Sequence, residues 1–241
     1  MAKKPRVPVA SRPANQLLAR LSEEDFTQLQ RHLVTVQLHP HQPLQKQGDP
    51  IEHVYFPNCG MVSMATVLAD GAVVEAATVG DEGLVGIEAL FSDDAVSSSE
   101  SVVQGALPHE SAEMIRAADF RRELVALRAF GELVARYAQA LHGQLVRLTA
   151  CNARHDVNAR CARWLLMAHD HMRGQGFHVS QEGLAVMLGV RRQSISAVAG
   201  MFQAAGFIRY THGHMVVTNR LGLETVACEC YAAIRTLYAR L

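Results

Sequence analysis

The stretch from Ser180 to Ile208 admits few folds. Ser180, a residue type suited to capping a helix start, precedes an apolar stripe of Leu184, Ala185 and Leu188. Gly189 interrupts it, and a second stripe of Ile195, Val198 and Phe202 follows at three- and four-residue steps. Two short amphipathic helices meeting at one glycine predict a helix-turn-helix, because the turn between them needs backbone angles that a side chain resists. The free face of the second helix, near its N-terminus, carries Arg191, Arg192, Gln193, Ser194 and Ser196. Such a face suits the major groove of double-stranded DNA. Arginine pairs bidentately with guanine and glutamine with adenine, while hydroxyls and helix N-terminal amides hold phosphates. Residues 206–218 then alternate around Gly213 as a hairpin, a wing that brings Arg209, His212 and His214 near phosphate. With Ser180 and Gln181 at the start of the first helix, these residues form the expected DNA-contact set. The alternative is a winged helix that contacts only protein.

Charge is distributed to match. The formal net charge is zero, yet residues 1–118 hold eight Lys/Arg against fifteen Asp/Glu, whereas residues 151–241 hold ten against five together with six histidines. An acidic first half joined to a basic second half confines an anionic partner to the second half.

Upstream of the helix-turn-helix the pattern divides into distinct regions. Residues 1–13, with Lys3, Lys4, Arg6 and Arg12 among three prolines, lack an apolar core and read as a basic flexible tail, not a signal peptide. Residues 15–33 have helical periodicity, with Ser22 before Glu23, Glu24 and Asp25 as a helix start. From Val34 to about Leu107 the period shortens: Val34–Leu38, Val54–Phe56, Met61–Val67 and Val73–Val79 read as strands, and Asp70-Gly71 as a hairpin turn. Many short strands predict a β-roll or jelly-roll. A single long helix is expected from Asp119 to about Asn152. In it Leu127, Gly131, Val134, Ala138, Leu141, Leu145 and Leu148 repeat at alternating four- and three-residue steps, a seam suited to pairing with an identical helix. The alternative is a helix packed on its own domain. A further helix is expected over Val157–His171. The expected class is therefore α+β: a β-roll domain over 14–118, a dimerisation helix over 119–152 and a winged helix-turn-helix over 153–241.

These segments together resemble the Crp/Fnr-type bacterial transcription regulators over nearly the whole chain from Asn15. The resemblance is carried by residues 47–63, Gln-Gly-Asp-Pro-Ile-Glu-His-Val-Tyr-Phe-Pro-Asn-Cys-Gly-Met-Val-Ser, and by Leu188-Gly-Val-Arg-Arg-Gln-Ser-Ile-Ser196 and Val217-Thr-Asn-Arg-Leu-Gly-Leu223. It implies a cyclic-nucleotide-binding-like β-roll and a homodimer that reads a palindromic promoter site and contacts RNA polymerase. Arg192 and Gln193 fall at base-reading positions. Gln193 replaces the acidic residue common in nucleotide-responsive members, and Ala197 stands where many members carry another arginine.

The effector region departs further. Nucleotide-binding members hold ribose with a Gly-Glu-Leu turn and phosphate with an Arg-Ser-Ala segment. Here Ile87 follows Gly86 directly, and Ser97-Ser-Ser-Glu-Ser101 contains no arginine to pair with a phosphate. Cyclic nucleotide is therefore not the expected effector. Gly80, Glu82, Gly83, Ser98 and Ser99 are the candidate pocket residues, and the signal itself is not legible. An iron–sulfur cluster is not expected, since the first cysteine is Cys59; haem held by one of the twelve histidines is an open alternative.

No apolar run reaches the roughly 18 residues that a bilayer span needs, so no membrane partner and a cytoplasmic protein are expected. Five cysteines at 59, 151, 161, 228 and 230 do not form a disulfide framework, and Cys228-Glu-Cys230 without further ligands makes a poor metal site; none is expected. An enzyme is the rival class. His39-Pro-His41 has the spacing of a cupin-like metal site, but the expected glutamate is absent. There is also no Gly-x-Ser-x-Gly elbow and no phosphate-cradling glycine loop, so no catalytic residues are assigned.

Overall fold

A computed structural model describes residues 14–104 and 110–241; the basic tail lies outside the described residues. Two short helices open it, α1 (Gln16–Ala19) and α2 (Glu23–Leu29), where the sequence pattern ran on as helical from 15 to 33. Each has its own cap. Asn15 Oδ1 accepts from the amides of Leu17 and Leu18, and Ser22 Oγ accepts from that of Asp25.

Seven strands follow: β1 (Val34–Gln37), β2 (Pro43–Gln45), β3 (His53–Pro57), β4 (Met61–Val67), β5 (Val73–Val79), β6 (Glu100–Gln104) and β7 (Ser111–Arg116). They form two antiparallel sheets, ordered β1-β7-β3 and β2-β6-β4-β5. Val54, Phe56, Val62, Met64, Val79, Val103 and Ile115 from both sheets meet in one core, which is the expected β-roll. The Asp70-Gly71 turn joins β4 to β5, with Asp70 Oδ1 accepting from the Ala72 amide.

The long helix expected from Asp119 is two helices, α3 (Ala117–Ala126) and α4 (Arg128–Arg154). Leu127, at φ −108° and ψ 89°, breaks the helical path between them. Gly131 permits the break: a Cβ there would lie 2.6 Å from the carbonyl oxygen of Leu124. Phe120 and Phe130, edge to face at 5.8 Å, flank the bend and pack on Phe56 of β3.

Asp156 caps α5 (Val157–His171), and a second core gathers around Trp164, Leu165 and Leu166. It holds β8 (Phe177–His178), α6 (Gln181–Leu188), α7 (Arg192–Ala204), β9 (Ile208–Thr211), β10 (His214–Val217), α8 (Arg220–Val226) and α9 (Cys230–Tyr238). The two units are joined directly. Met61 of β4 belongs to the second core, Ser63 Oγ contacts Met187 Sδ at 3.3 Å, and Trp164 Nε1 donates to Glu75 Oε1 at 2.8 Å. This explains why residues 61–65 are buried on both faces of β4: the C-terminal unit covers the face that water would otherwise occupy. No helix among the described residues is long and apolar enough to cross a membrane.

Candidate nucleic-acid interface

The helix-turn-helix forms where its pattern places it. Ser180 Oγ accepts from the Gly183 amide at 2.8 Å, and α6 ends at Gly189, in the left-handed region at φ 62° and ψ 41°. The chain then enters α7 at Arg192, with Arg191 as the residue before the helix, not within it. Ile195, Val198, Ala199 and Phe202 are buried in the second core, which fixes the rotation of α7 and leaves Arg191, Arg192, Gln193 and Ser196 exposed. Ser194 is half-buried. No side chain caps α7; the Ser194 amide donates to the Arg191 carbonyl, and the amides of Arg192 and Gln193 before it suit an anion, reinforced by the partial positive charge of a helix N-terminus.

Two members of the set are already engaged with each other. Ser196 Oγ donates to Gln181 Oε1 at 2.6 Å, tying the start of α6 to the second turn of α7. This bond links the two helices, and among the described residues Arg191, Arg192 and Gln193 are left with exposed side chains that make no hydrogen bond.

The wing is present and has one more strand than the pattern suggested. β9 and β10 pair with Thr211 opposite His214, and β8 adds to the outer side of β10 through His178 and Phe177. A two-residue strand carries too little periodicity to be read in advance. His212 sits at the wing tip in the left-handed region, φ 51°, with its side chain exposed. Arg209 is exposed on β9, whereas His214 lies against the His178 ring at 5.1 Å. Gln203 Oε1 accepts from the Tyr210 amide at 2.9 Å, so α7 and the wing are held as one surface.

The proposed dimer seam is placed differently. Leu127, Val134, Leu141 and Leu148 are buried within this chain's own cores, while Gly131, Ala138 and Leu145 are only half-buried at the margin. The apolar repeat thus faces mainly the β-roll, the alternative assignment for this helix. A second side of α4 is covered by α9: Leu237 lies against Gly143, and the Tyr238 hydroxyl donates to Gln144 Oε1. What stays open is a third stripe, Gly131, Ala135, Ala138, His142, Leu145 and Thr149, alternately half-buried and exposed.

Of the candidate effector residues, Glu82 lines a groove with Gln144, His171 and Tyr238. A Cβ on Gly83 would meet the Tyr137 ring at 2.6 Å, and Gly80 is packed equally tightly on His171. Glu82 accepts from the Gly80 amide and pairs with His171 Nδ1 at 3.3 Å. Burial opposes ionisation of Glu82, but the charge and hydrogen bond of His171 outweigh it and hold the carboxyl below its usual range. Ser98 donates through both its amide and its hydroxyl to Glu88 Oε1. Glu88 Oε2 and the hydroxyls of Ser99 and Ser101 are buried without a hydrogen-bond partner among the described residues. Glu88, one position beyond the glutamate of the nucleotide-binding turn, escaped the sequence reading for that reason. Glu88 paired with Ser98 thus places a hydrogen-bond acceptor, not a cation, after Gly86.

His39 and His41 join no group of three metal-ligating side chains among the described residues. Cys228 and Cys230 do. The fold brings Cys151 and His155, at the end of α4, to within 4.8 Å of them, measured between ligand atoms. The expectation of a poor metal site rested on a lack of nearby ligands, and ligands 77 positions away in sequence supply that lack.

Comparison with known proteins gives the same two units. The family model for a cyclic nucleotide-binding domain matches residues 35–112, and that for a Crp-like helix-turn-helix domain matches residues 159–226. No curated protein matches the chain. Among solved structures, a transcriptional regulator of the Crp/Fnr family from Eubacterium rectale superposes with a TM-score of 0.67 at 13% identity, over 88% of this chain and 98% of that one. A CRP-family transcriptional regulator from Thermus thermophilus gives 0.64 at 20% identity, over 80% and 96%. The c-di-GMP-responsive global regulator CLP of Xanthomonas campestris gives 0.61 at 18% identity, over 81% and 99%. At these identities the structures speak to the fold.

Proposed function

The chain belongs to the Crp/Fnr type of transcription regulator, and from that premise we propose that it acts in the cytoplasm as a homodimer reading a palindromic promoter site, without catalysis of its own. The carrying observation is α7: its buried side is locked into the second core, and its other side presents Arg192 and Gln193 beside an uncapped helix start. In this reading two copies of α7 enter successive major grooves about 34 Å apart. Arg191, Arg209 and His212 lie toward phosphate, and a further surface contacts RNA polymerase.

The reading places the two-fold axis along the open stripe of α4. The small side chains at Gly131, Ala135 and Ala138 allow two helices to approach closely, and Leu145 adds apolar area. Phe91, 72% exposed, and Val125, 88% exposed, flank a groove that reaches Gly131, and this apolar patch continues the stripe.

The test is selection of duplexes from a random pool by the full chain, followed by footprinting. A palindrome with half-sites about one helical turn apart is expected. Recovery of the unselected pool would defeat the proposal. The same reading excludes cyclic nucleotide as the signal: calorimetric titration with cyclic AMP is expected to give no binding heat, and saturable micromolar binding would overturn that part alone.

A further inference from the structure

The geometry points to a mononuclear zinc site at the joint between α4 and the C-terminal unit, with Cys151, His155, Cys228 and Cys230 as its four ligands. The site is separate from the DNA-reading face and stands independently of it.

Its parts come from two places. Cys151 and His155 are four residues apart at the end of α4, so they project from one side of its last turn. Cys228 and Cys230 bracket Glu229 where the chain turns from α8 into α9. The three thiols are buried and His155 is half-buried. Cys151 Sγ lies 3.6 Å from Cys228 Sγ, and Cys230 Sγ lies 3.7 Å from His155 Nδ1. A tetrahedral zinc with bonds of about 2.3 Å to sulfur and 2.0 Å to nitrogen sets neighbouring ligand atoms about 3.5–3.8 Å apart. The two closest spacings match those of ligands around a single ion, and all four ligand atoms lie within 4.8 Å of one another. An iron–sulfur cluster would spread its thiolates over several irons, farther apart than the 4.8 Å limit that contains all four atoms here. Three sulfurs and one imidazole are the soft donor set that zinc takes in closed structural sites.

Two surrounding features have the same implication. His155 directs Nδ1 toward the thiols and is held at Nε2 by Glu229 Oε2, 3.2 Å away, which is the carboxylate–histidine arrangement that orients a metal ligand. The Nε–H groups of Arg160 and Arg163 are buried and have no hydrogen-bond partner among the described residues. Both arginines lie within electrostatic reach of Cys151. A thiol barely accepts such a hydrogen bond; a metal-bound thiolate accepts it well. On binding, three thiol protons leave to solvent and four ligand–metal bonds replace those of the hydrated ion to water, giving a centre of net charge −1. That charge compensates two guanidinium groups that form no salt bridge among the described residues, Arg163 sharing only the longer-range field of Glu75.

The consequence is mechanical. The chain passes from α4 to α5 through His155 and Asp156, and the ion fastens the last turn of α4 to the start of α9 across this joint. Zinc thereby sets the angle between the long helix and the DNA-reading unit.

The experiment uses the full-length chain purified under reducing conditions without added chelator. Elemental analysis is expected to find zinc at one ion per chain. Cys228→Ser and Cys230→Ser are each expected to cut that content at least tenfold, while Cys59→Ser, remote from the site, leaves it unchanged. As a readout that does not depend on the variants folding, cobalt(II) added to the zinc-stripped wild-type chain is expected to give the intense visible bands of a tetrahedral thiolate centre. A folded wild-type chain without metal, on which cobalt shows only its aqueous octahedral spectrum, would overturn the proposal. So would a Cys151–Cys228 disulfide found by mass spectrometry in the protein as isolated.

Discussion

Arg192 is the first residue of α7, exposed above a turn whose backbone is fixed by Gly189 and by the Ser196–Gln181 bond. Replacing it with alanine is expected to weaken binding to the selected duplex by about 1–3 kcal/mol and to relax preference at one base pair in each half-site. Competition binding against single-substitution duplexes reads this. An equal loss on every duplex would make Arg192 a phosphate contact instead. Gly189 makes a different case. A Cβ there would touch Val74 only at ordinary contact distance, 3.7 Å, so the cost of Gly189→Ala is the left-handed backbone itself. About 1–2 kcal/mol follows for a residue with a Cβ, a fall in Tm of about 2–8 °C for a chain of this size. An unchanged Tm would show that the turn relaxes. Both residues were readable in sequence because their signals are local: a glycine between two stripes, and polar residues opposite an apolar face. The ligating role of Cys151 was not readable, because nothing in its neighbourhood announces the two cysteines that meet it from the other end of the C-terminal unit.

Among the elements, α4 shows how a correct period can mislead. The repeat from Leu127 to Leu148 identifies an apolar stripe, but a stripe that packs on a β-roll and one that packs on a second helix have the same spacing. In the proposed dimer both kinds of demand fall on one helix. The large residues Leu127, Val134, Leu141 and Leu148 serve the core, and the smaller Gly131, Ala135 and Ala138 remain at the open side. Ala138→Glu therefore separates the possibilities, since a carboxylate at a half-buried, open position leaves the monomer's core intact. Sedimentation is expected to shift from dimer to monomer with the thermal transition of each protomer preserved, and a dimer that survives would move the two-fold axis elsewhere. The strands tell a similar story. β1, β3 and β4 were legible as alternations and β5 as a further candidate, whereas β2, β6 and β7 are short or carry charged and polar residues such as Glu100, Glu113 and Arg116 that only their partners hold in the sheet.

At the scale of the molecule, the DNA-reading unit is held on the β-roll by groups whose protonation changes near neutral pH. Glu75 of β5 accepts hydrogen bonds from Ser63 and Trp164, and Arg163 and His171 add favourable charge, yet burial dominates and pushes its carboxyl up to about 7 from 4.5. A folded pKa above the unfolded one means that this group's contribution is complete below pH 4.5 and is lost as pH rises through 7, about 3 kcal/mol in all. His171 of α5 bridges Glu82 and Thr78. Burial disfavours its charge, but Glu82, Asp170 and Asp81 prevail and raise it above 6.5, so its contribution too is present at low pH and fades as pH climbs past its folded value. Glu82 runs the other way: its lowered carboxyl gives stability above its unfolded value that is lost only as pH falls through the folded one. Between pH 4.5 and about 7 the raised Glu75 sets the sign, His171 adds to it above 6.5, and the contact between the units weakens as pH increases. Hydrogen exchange at β5 and α6, followed across that range, is expected to accelerate with pH beyond the intrinsic rate. Glu75→Gln keeps the side-chain shape without a titrating proton and is expected to remove the larger part of the excess. Parallel profiles for wild type and Glu75→Gln would mean that the carboxylate is solvated in the folded chain, and that the joint between the units owes nothing to its protonation.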